Sequence, residues 1–242
     1  MATPKLYVDH LSQPCRSCLV LFRMAGIPCE EVRVTLGRQE QRKPEFLAVN
    51  PLGKVPALQD GDLCLPESSA IMQYMCSTRS LEDHWYPSNV RDRALINAAM
   101  AWHASSLRIG SMLTVWNRAI TLNLGVPGNE QLVQSYGLPT LQAALKALDD
   151  VWLRDGSFVA GQAQISIADL LLACEVEQLC LLDGAVQGPG MEELLGPHSR
   201  LLAWLDRVRS ACSPHYDDVH ALLRKSRQRL VERKQAPGAS KM

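Results

Sequence analysis

Residues 50–70, NPLGKVPALQDGDLCLPESSA, decide how the rest of the chain is arranged. Two short apolar segments, Val55 to Leu58 and Leu63 to Leu65, flank Asp60-Gly61-Asp62. Asp-Gly between such runs is the strongest short hairpin signal in a sequence. Pro56 stands at the mouth of the first strand, where the loss of a ladder donor is tolerated. A Val-Pro bond there is also a place where a cis peptide can be kept. The Val55 N–H and C=O then face outward and can take an extended peptide as an extra strand. Pro66-Glu67-Ser68-Ser69 opens an apolar run (Ala70, Ile71, Tyr74, Met75) at helical spacing. The free N–H groups of a helix start suit a carboxylate, and Glu67 beside them suits an amino group. A reader of peptide backbone therefore lies next to an α-amino-acid clamp, the makings of a small-peptide site.

Working outward, Lys5 to Asp9 forms a short buried strand, and Leu11 to Arg16 turns into a helix with Pro14 in its first turn. Cys18, Leu19, Leu21, Phe22 and Ala25 give that helix a buried face, closed by Gly26. Cys29 to Leu36 alternates as a second strand, and Gln39 to Ala48 is expected to be one short charged helix. Strand, helix, strand, helix, hairpin and a helix to Cys76 make a βαβ unit joined to a ββα unit, with a right-handed first crossover. The order resembles the thioredoxin plan. From Thr78 the character changes, and Trp85-Tyr86-Pro87-Ser88 is a turn-rich stop. We expect an α/β thioredoxin-like domain over residues 1–79, a linker over 80–88, and an all-helical bundle over 89–242. Within the bundle a long helical period runs from Arg91 to Leu124, with Gly110 as a soft spot. A second runs from Glu130 to Leu153, interrupted near Gly137-Leu138-Pro139. Ser166 and Asp169 form a helix-start box heading an apolar helix to Leu182. Gly188-Pro189-Gly190 is a loop, followed by helices at about His198 to Ser210 and Pro214 to Glu232.

The chain has 242 residues, 47% of them hydrophobic, and its charges cancel, which gives no reason to expect a nucleic-acid or acidic-membrane partner. No apolar run approaches the ~18 residues of a spanning helix. The best candidate, Ile167 to Leu182, is broken by Asp169, Glu175 and Glu177. The first residues lack the apolar core of a secretory signal, so the eight cysteines read as reduced thiols in an intracellular, cytoplasmic protein.

Four pieces then carry a resemblance: Leu11-Ser12-Gln13-Pro14-Cys15-Arg16, Asn50 to Leu58, Glu67-Ser68, and Ser166-Ile167-Ala168-Asp169. Trp85-Tyr86-Pro87 and Ala101 to Arg108 extend it. The chain resembles the cytosolic glutathione transferases, theta class. The resemblance implies a homodimer, glutathione as co-substrate with no metal or other cofactor, and a hydrophobic electrophile site against the helical domain. It implies a transferase joining the glutathione thiolate to small electrophiles, a detoxification chemistry, with peroxide reduction as a second activity. Ser12 is the expected catalytic hydroxyl. Free glutathione has a thiol pKa near ~8.5, and a charge-assisted hydrogen bond of ~1.5–3 kcal/mol lowers it by roughly one to two units. Arg108 matches a theta arginine facing the leaving group or thiolate. Gln13, Lys54, Val55, Glu67 and Ser68 are the expected glutathione contacts, Lys54 at the glycyl carboxylate. Where theta members often carry a histidine for that end, this chain has Gln41, with Arg38 or Arg42 to supply charge. Leu11, Leu36, Met112, Leu113 and Trp116 are the expected electrophile pocket.

Two rival readings come from the same residues. Cys15-Arg16-Ser17-Cys18 at a helix start reads as a redox dithiol, making a glutaredoxin-like thiol–disulfide exchanger with Cys15 as the attacking thiolate. The second rival is a transferase-like module that only binds. At the far end, Arg224, Lys225, Arg227, Arg229, Arg233 and Lys234 read as a solvated helix face. The final Ser240-Lys241-Met242 resembles a peroxisomal address of the Ser-Lys-Leu kind.

Overall fold

The computed structural model describes residues 3–236. Strand β1 (Lys5–Val8) runs into helix α1 (Gln13–Met24), which returns to strand β2 (Glu30–Arg33). β1 and β2 are parallel, with Leu6 opposite Glu31 and Val8 opposite Arg33. The hairpin forms β3 (Ala57–Asp60) and β4 (Leu63–Pro66), turning through Gly61 at φ 64°. That left-handed value is free of steric cost only for glycine. β3 pairs antiparallel with β1, Leu58 opposite Leu6, and the sheet order is β2-β1-β3-β4. Helix α3 (Ser68–Thr78) completes the half.

The single charged helix expected over Gln39 to Ala48 is three pieces instead. Leu36–Arg38 and Glu40–Arg42 are 3-10 turns, and only Pro44–Leu47 is α-helical, as α2. Gln39 takes a left-handed φ of 56°, and Lys43 is extended at φ −70°, ψ 145°. Proline at position 44 disfavours the α region for the residue before it, so the helix cannot pass through Lys43. The piecewise path brings Phe46 against the sheet with Val34 and Ala57, where it meets Tyr7 edge-on.

The helical half is built on two long rods. The first starts at α4 (Val90–Trp102), capped by Asn89, whose side chain accepts from the Arg91 and Asp92 amides. It continues through π-helical turns and α5 (Arg108–Val115) to α6 (Thr121–Leu124), ending at Gly125 with φ 68°. The second holds α7 (Glu130–Leu132), a π-helical turn over Val133–Gly137, α8 (Leu138–Ala147) and another π-helical turn over Leu148–Trp152. The interruption expected at Gly137-Leu138-Pro139 is absorbed: Pro139 falls in the first turn of α8, and the wider turn before it keeps the chain helical. Gly110 is a crossing point rather than a soft spot. A Cβ there would stand 2.4 Å from the Leu141 amide nitrogen, so its bareness lets α5 and α8 touch backbone to backbone.

Helix α9 (Ile167–Glu177) is buried on every side. Its Asp169 carboxylate accepts from the Ser166 amide and hydroxyl, the Val159 amide and the Trp204 indole, all at 2.8–2.9 Å. Burial pushes that carboxyl up even so. A 3-10 stretch (Gln178–Gly184) follows, then α10 (Met191–Leu195), in a segment with no sequence assignment, α11 (Ser199–Ala211) and α12 (His215–Gln235). α12 packs on the Gln178–Gly184 stretch and on α1, and Arg233 Nη1 reaches the Leu122 carbonyl. Of the basic side chains on α12, Arg224 pairs with Asp217 and Arg227 with Asp183. One contiguous core joins Leu6, Leu58 and Ile71 to Leu170, Trp204 and Leu223, because α1 lies between the sheet and α9. No helix among the described residues is long and apolar enough to cross a membrane.

Candidate functional site

Strand register gathers the site at one end of the sheet. Tyr7 pairs with Ala57 and Ala57 with Pro66. The end of β1, the start of β3 and the end of β4 therefore coincide, and each continues into a candidate segment: Ser12, Val55-Pro56, and Glu67-Ser68. The Cys18 Sγ lies 3.7 Å from the Ser68 carbonyl, so α1 and the start of α3 touch.

Ser12 is the residue before α1, in extended conformation at φ −85°, ψ 120°, and its side chain makes no cap hydrogen bond. Its amide is held on the Asp9 carbonyl at 2.9 Å. Asp9, unnoticed in the sequence, organises this corner: its carboxylate accepts from the Leu11 amide and from the Leu36 amide, both at 2.9 Å. One side chain thereby fixes the Ser12 turn and brings Leu36 beside it. A charged residue ending an apolar strand was the signal available for it.

The Val55–Pro56 bond is cis, and the Val55 amide donates to no group among the described residues. Asn50 shapes the loop before it, accepting from the Leu52 amide and donating to the Lys54 carbonyl. Lys54 is exposed, while Gln41 is buried with its Oε1 unpartnered. A Cβ on Gly53 would meet Arg42 Nη1 at 2.9 Å, so that guanidinium lies over the loop one residue from Lys54. The Arg42 guanidinium and the Gln41 backbone carbonyl thus both lie against the loop that carries Lys54. Glu67 is exposed, with φ 69° and ψ 117°, a backbone cost that non-glycine residues bear mainly at functional positions. Ser68 is buried at the first turn of α3.

Gln13, expected on the glutathione side, is turned inward. It is buried, and its Nε2 donates to Glu175 Oε1 at 2.9 Å. Arg16, one turn on, is completely buried and donates to the His10 carbonyl, the Cys174 carbonyl and Gln178 Oε1. The Gln and Arg of Leu11 to Arg16 therefore bind α9. Glu175 also accepts from Ser111 Oγ at 2.6 Å, Arg108 Nη1 at 3.0 Å and His103 Nε2 at 3.2 Å. Burial pushes its carboxyl up, but Arg108, His103 and Ser111 outweigh that and bring it down to about 2. It is ionised at any ordinary pH. In the sequence Glu175 is one of three carboxylates in an apolar helix, and nothing there points to its partners, far away along the chain.

Arg108, Met112 and Trp116 follow at four-residue spacing, and Met112 and Trp116 are 40% and 45% exposed. Leu11 is likewise open, at 39%. Leu113 does not join them: Gly137 of the second rod comes so near that a Cβ there would stand 3.2 Å from the Leu113 Cβ. Two hollows of about 530 and 410 Å³ lie elsewhere. The first, lined by Met24, Leu81, His84 and Ile165, sits at the opposite end of α1 from Ser12. Neither contains any of the site residues, so the polar constellation rather than cavity volume marks the candidate site.

Cys15 and Cys18 are both fully buried. Burial pushes the Cys15 thiol up to about 12, against the Ser12 hydroxyl and the Asp9 amide, and raises Cys18 well above its ordinary value. An attacking thiol must be exposed and readily ionised. The dithiol reading fails on both counts.

The family model for the glutathione S-transferase N-terminal domain matches residues 6–83. Glutathione S-transferase T1 of Arabidopsis thaliana is 37% identical over 239 residues, covering 98% of this chain and 96% of its own length. The chain belongs to the glutathione S-transferase family, theta class. Glutathione S-transferase T2 of the same plant is 38% identical over 239 residues, covering 98% of this chain. The chain spans only 40% of the length of that relative, and likewise of T3. The crystal structure of human glutathione transferase theta-2, in complex with glutathione and an unknown ligand, superposes with a TM-score of 0.83 at 31% identity. That superposition covers 98% of this chain and 95% of the human one. The transferase fold thus runs through both halves.

Proposed function

We propose that this chain is a glutathione transferase that joins the glutathione thiolate to electrophilic carbon in small apolar molecules. The observation that carries the proposal is the Ser12 hydroxyl, uncommitted to capping at the start of α1, at the sheet end where Val55 leaves its amide open. The Val55 backbone pairs with the cysteinyl residue of glutathione. The start of α3, with Glu67 and Ser68, takes the γ-glutamyl end, and Lys54, Arg42 and Gln41 take the glycyl carboxylate. The thiol loses its proton to solvent. Ser12 then donates a hydrogen bond to the sulfur anion, which the helix start also favours. The sulfur lone pair forms the new bond to carbon and the leaving group departs with its electrons. Arg108 binds Glu175 through Nη1 alone, so its Nε and Nη2, with no partner among the described residues, are available to the departing anion. Leu11, Leu36, Met112 and Trp116 supply the apolar wall. The test is loss of free thiol against a panel of alkyl, aryl and epoxide electrophiles. Wild type turns over at least one, and Ser12→Ala does so at least tenfold more slowly; a folded wild type inert to all would refute the proposal.

The division into residues 1–79, 80–88 and 89–242 belongs to this reading, the first carrying glutathione and the last the electrophile. So does a homodimer, supported by exposed Leu63 on the edge strand β4 and by Val90 and Leu95 on α4. Sedimentation at twice the chain mass supports the dimer, and a monomer at micromolar concentration refutes it. Ser240-Lys241-Met242 lies outside the described residues. Peroxisomal import through it stands on the tripeptide alone, and is refuted if masking the C-terminus leaves the distribution in cells unchanged.

A further inference from the structure

Glu175 is 1% exposed, yet it touches both halves of the molecule. One oxygen accepts from Gln13, the residue next to Ser12, and from Ser111; the other accepts from His103 and from Arg108. Just past the end of α9, Gln178 holds Arg16, one turn along α1. Two side chains three residues apart, one on the last turn of α9 and one just past its end, thereby grip two side chains of α1, three residues apart. The grip carries the Arg16 guanidinium at one corner and the Glu175 carboxylate at the other, and Glu175 has its own cation in Arg108 of α5. A buried carboxylate needs such a cation, and the pair is oriented by three further donors. Arg108 is about one-third exposed and anchored by Nη1 alone, which leaves its Nε and Nη2 without a partner among the described residues.

We propose that Glu175 is a positioning residue of the transfer reaction. It aims the Arg108 guanidinium at the departing group and holds that cation in register with the first turn of α1, without touching either substrate. The proposal rests on the reading of the residues around Ser12 as the glutathione-transfer site. Because the role is exercised through Arg108, the two residues must act as one unit. Glu175→Gln keeps the shape and an acceptor for Ser111 and Gln13 but loses the charge that orients Arg108.

The experiment is a double-mutant cycle on the full chain, with Glu175→Gln, Arg108→Ala and both together, read as kcat and the KM for glutathione. Each single change is expected to lower kcat about tenfold while KM for glutathione stays within about twofold. The double variant is expected to be no slower than Arg108→Ala. Losses that multiply to about a hundredfold, or a rise in KM with kcat unchanged, would overturn the proposal. Should Glu175→Gln not fold, Glu175→Asp keeps the charge but withdraws it by one methylene and must show the same kcat loss. Failure of both to fold would also overturn it, since the carboxylate would then serve the fold alone. A wild type inactive on every electrophile defeats the underlying reading instead, so the two failures are distinct.

Discussion

Gln41 stands where the resemblance to theta transferases implies a histidine for the glycyl end. Its amide is buried and its oxygen finds no donor, a state that costs free energy unless a ligand or water completes it. A carboxylate offers only acceptors, so Gln41 must present its NH2 to serve the glycyl end, and that bond is neutral. Histidine at the same place would donate from a cation below its pKa of ~6.5. Charge-assisted bonds are about twice as strong as neutral ones, a gain of roughly 1 kcal/mol, or about fivefold in affinity. Gln41→His is therefore expected to lower the KM for glutathione about fivefold at pH 6 and much less at pH 8. Equal KM values for the variant and wild type at both pH values would show that Gln41 lies off the glycyl end.

Among the elements, the two rods depend on close approach where side chains are missing. Alanine at position 110 would favour the helix by about 1 kcal/mol in isolation. Here its Cβ would fall 2.4 Å from the Leu141 amide nitrogen, a backbone atom that cannot rotate away. Overpacking of this kind costs about 1–3 kcal/mol, and against rigid backbone the upper end applies. Gly110→Ala should lose about 2 kcal/mol net and melt several degrees lower in thermal unfolding, with an unchanged melting temperature contradicting the crossing. The same comparison shows why some elements were legible and others not. Asp60-Gly61-Asp62 and Ser166/Asp169 carry their instructions locally, and both formed where expected. Gly110 looks like any helix-weakening glycine until α8 is placed beside it. The Gln39 to Ala48 stretch carries a helix-like charge pattern, but Pro44 acts on the residue before it and breaks the run at Lys43.

At the scale of the whole molecule, the halves are locked by ionised groups inside one core, which makes stability depend on pH. The Glu175 carboxyl sits at about 2 in the folded chain against an ordinary 4.5. Its pKa is depressed by folding, so its stabilisation is complete above about 4.5 and is lost as pH falls towards 2. Asp169 has the opposite sign: its raised pKa contributes fully below 3.8 and fades as pH rises through the folded value. Comparison of wild type with Glu175→Gln isolates the first. The variant should show a shallower fall in melting temperature between pH 4.5 and pH 2, and parallel curves would contradict the assignment. Ser12, Lys54, Val55 and Glu67-Ser68 were legible as candidates because each lies in a short contiguous motif. Asp9, Glu175 and the inward turn of Gln13 were not, since each is defined by partners that only folding assembles.

The central claim is that the Ser12 hydroxyl, at the head of α1, keeps the sulfur of bound glutathione ionised near neutral pH. Thiolate absorbance titrated across pH, with glutathione saturating wild type and Ser12→Ala, measures this directly. The account predicts a bound thiol pKa roughly one to two units below the free value in wild type, and a return most of the way in the variant. Identical titrations for the two proteins would contradict it.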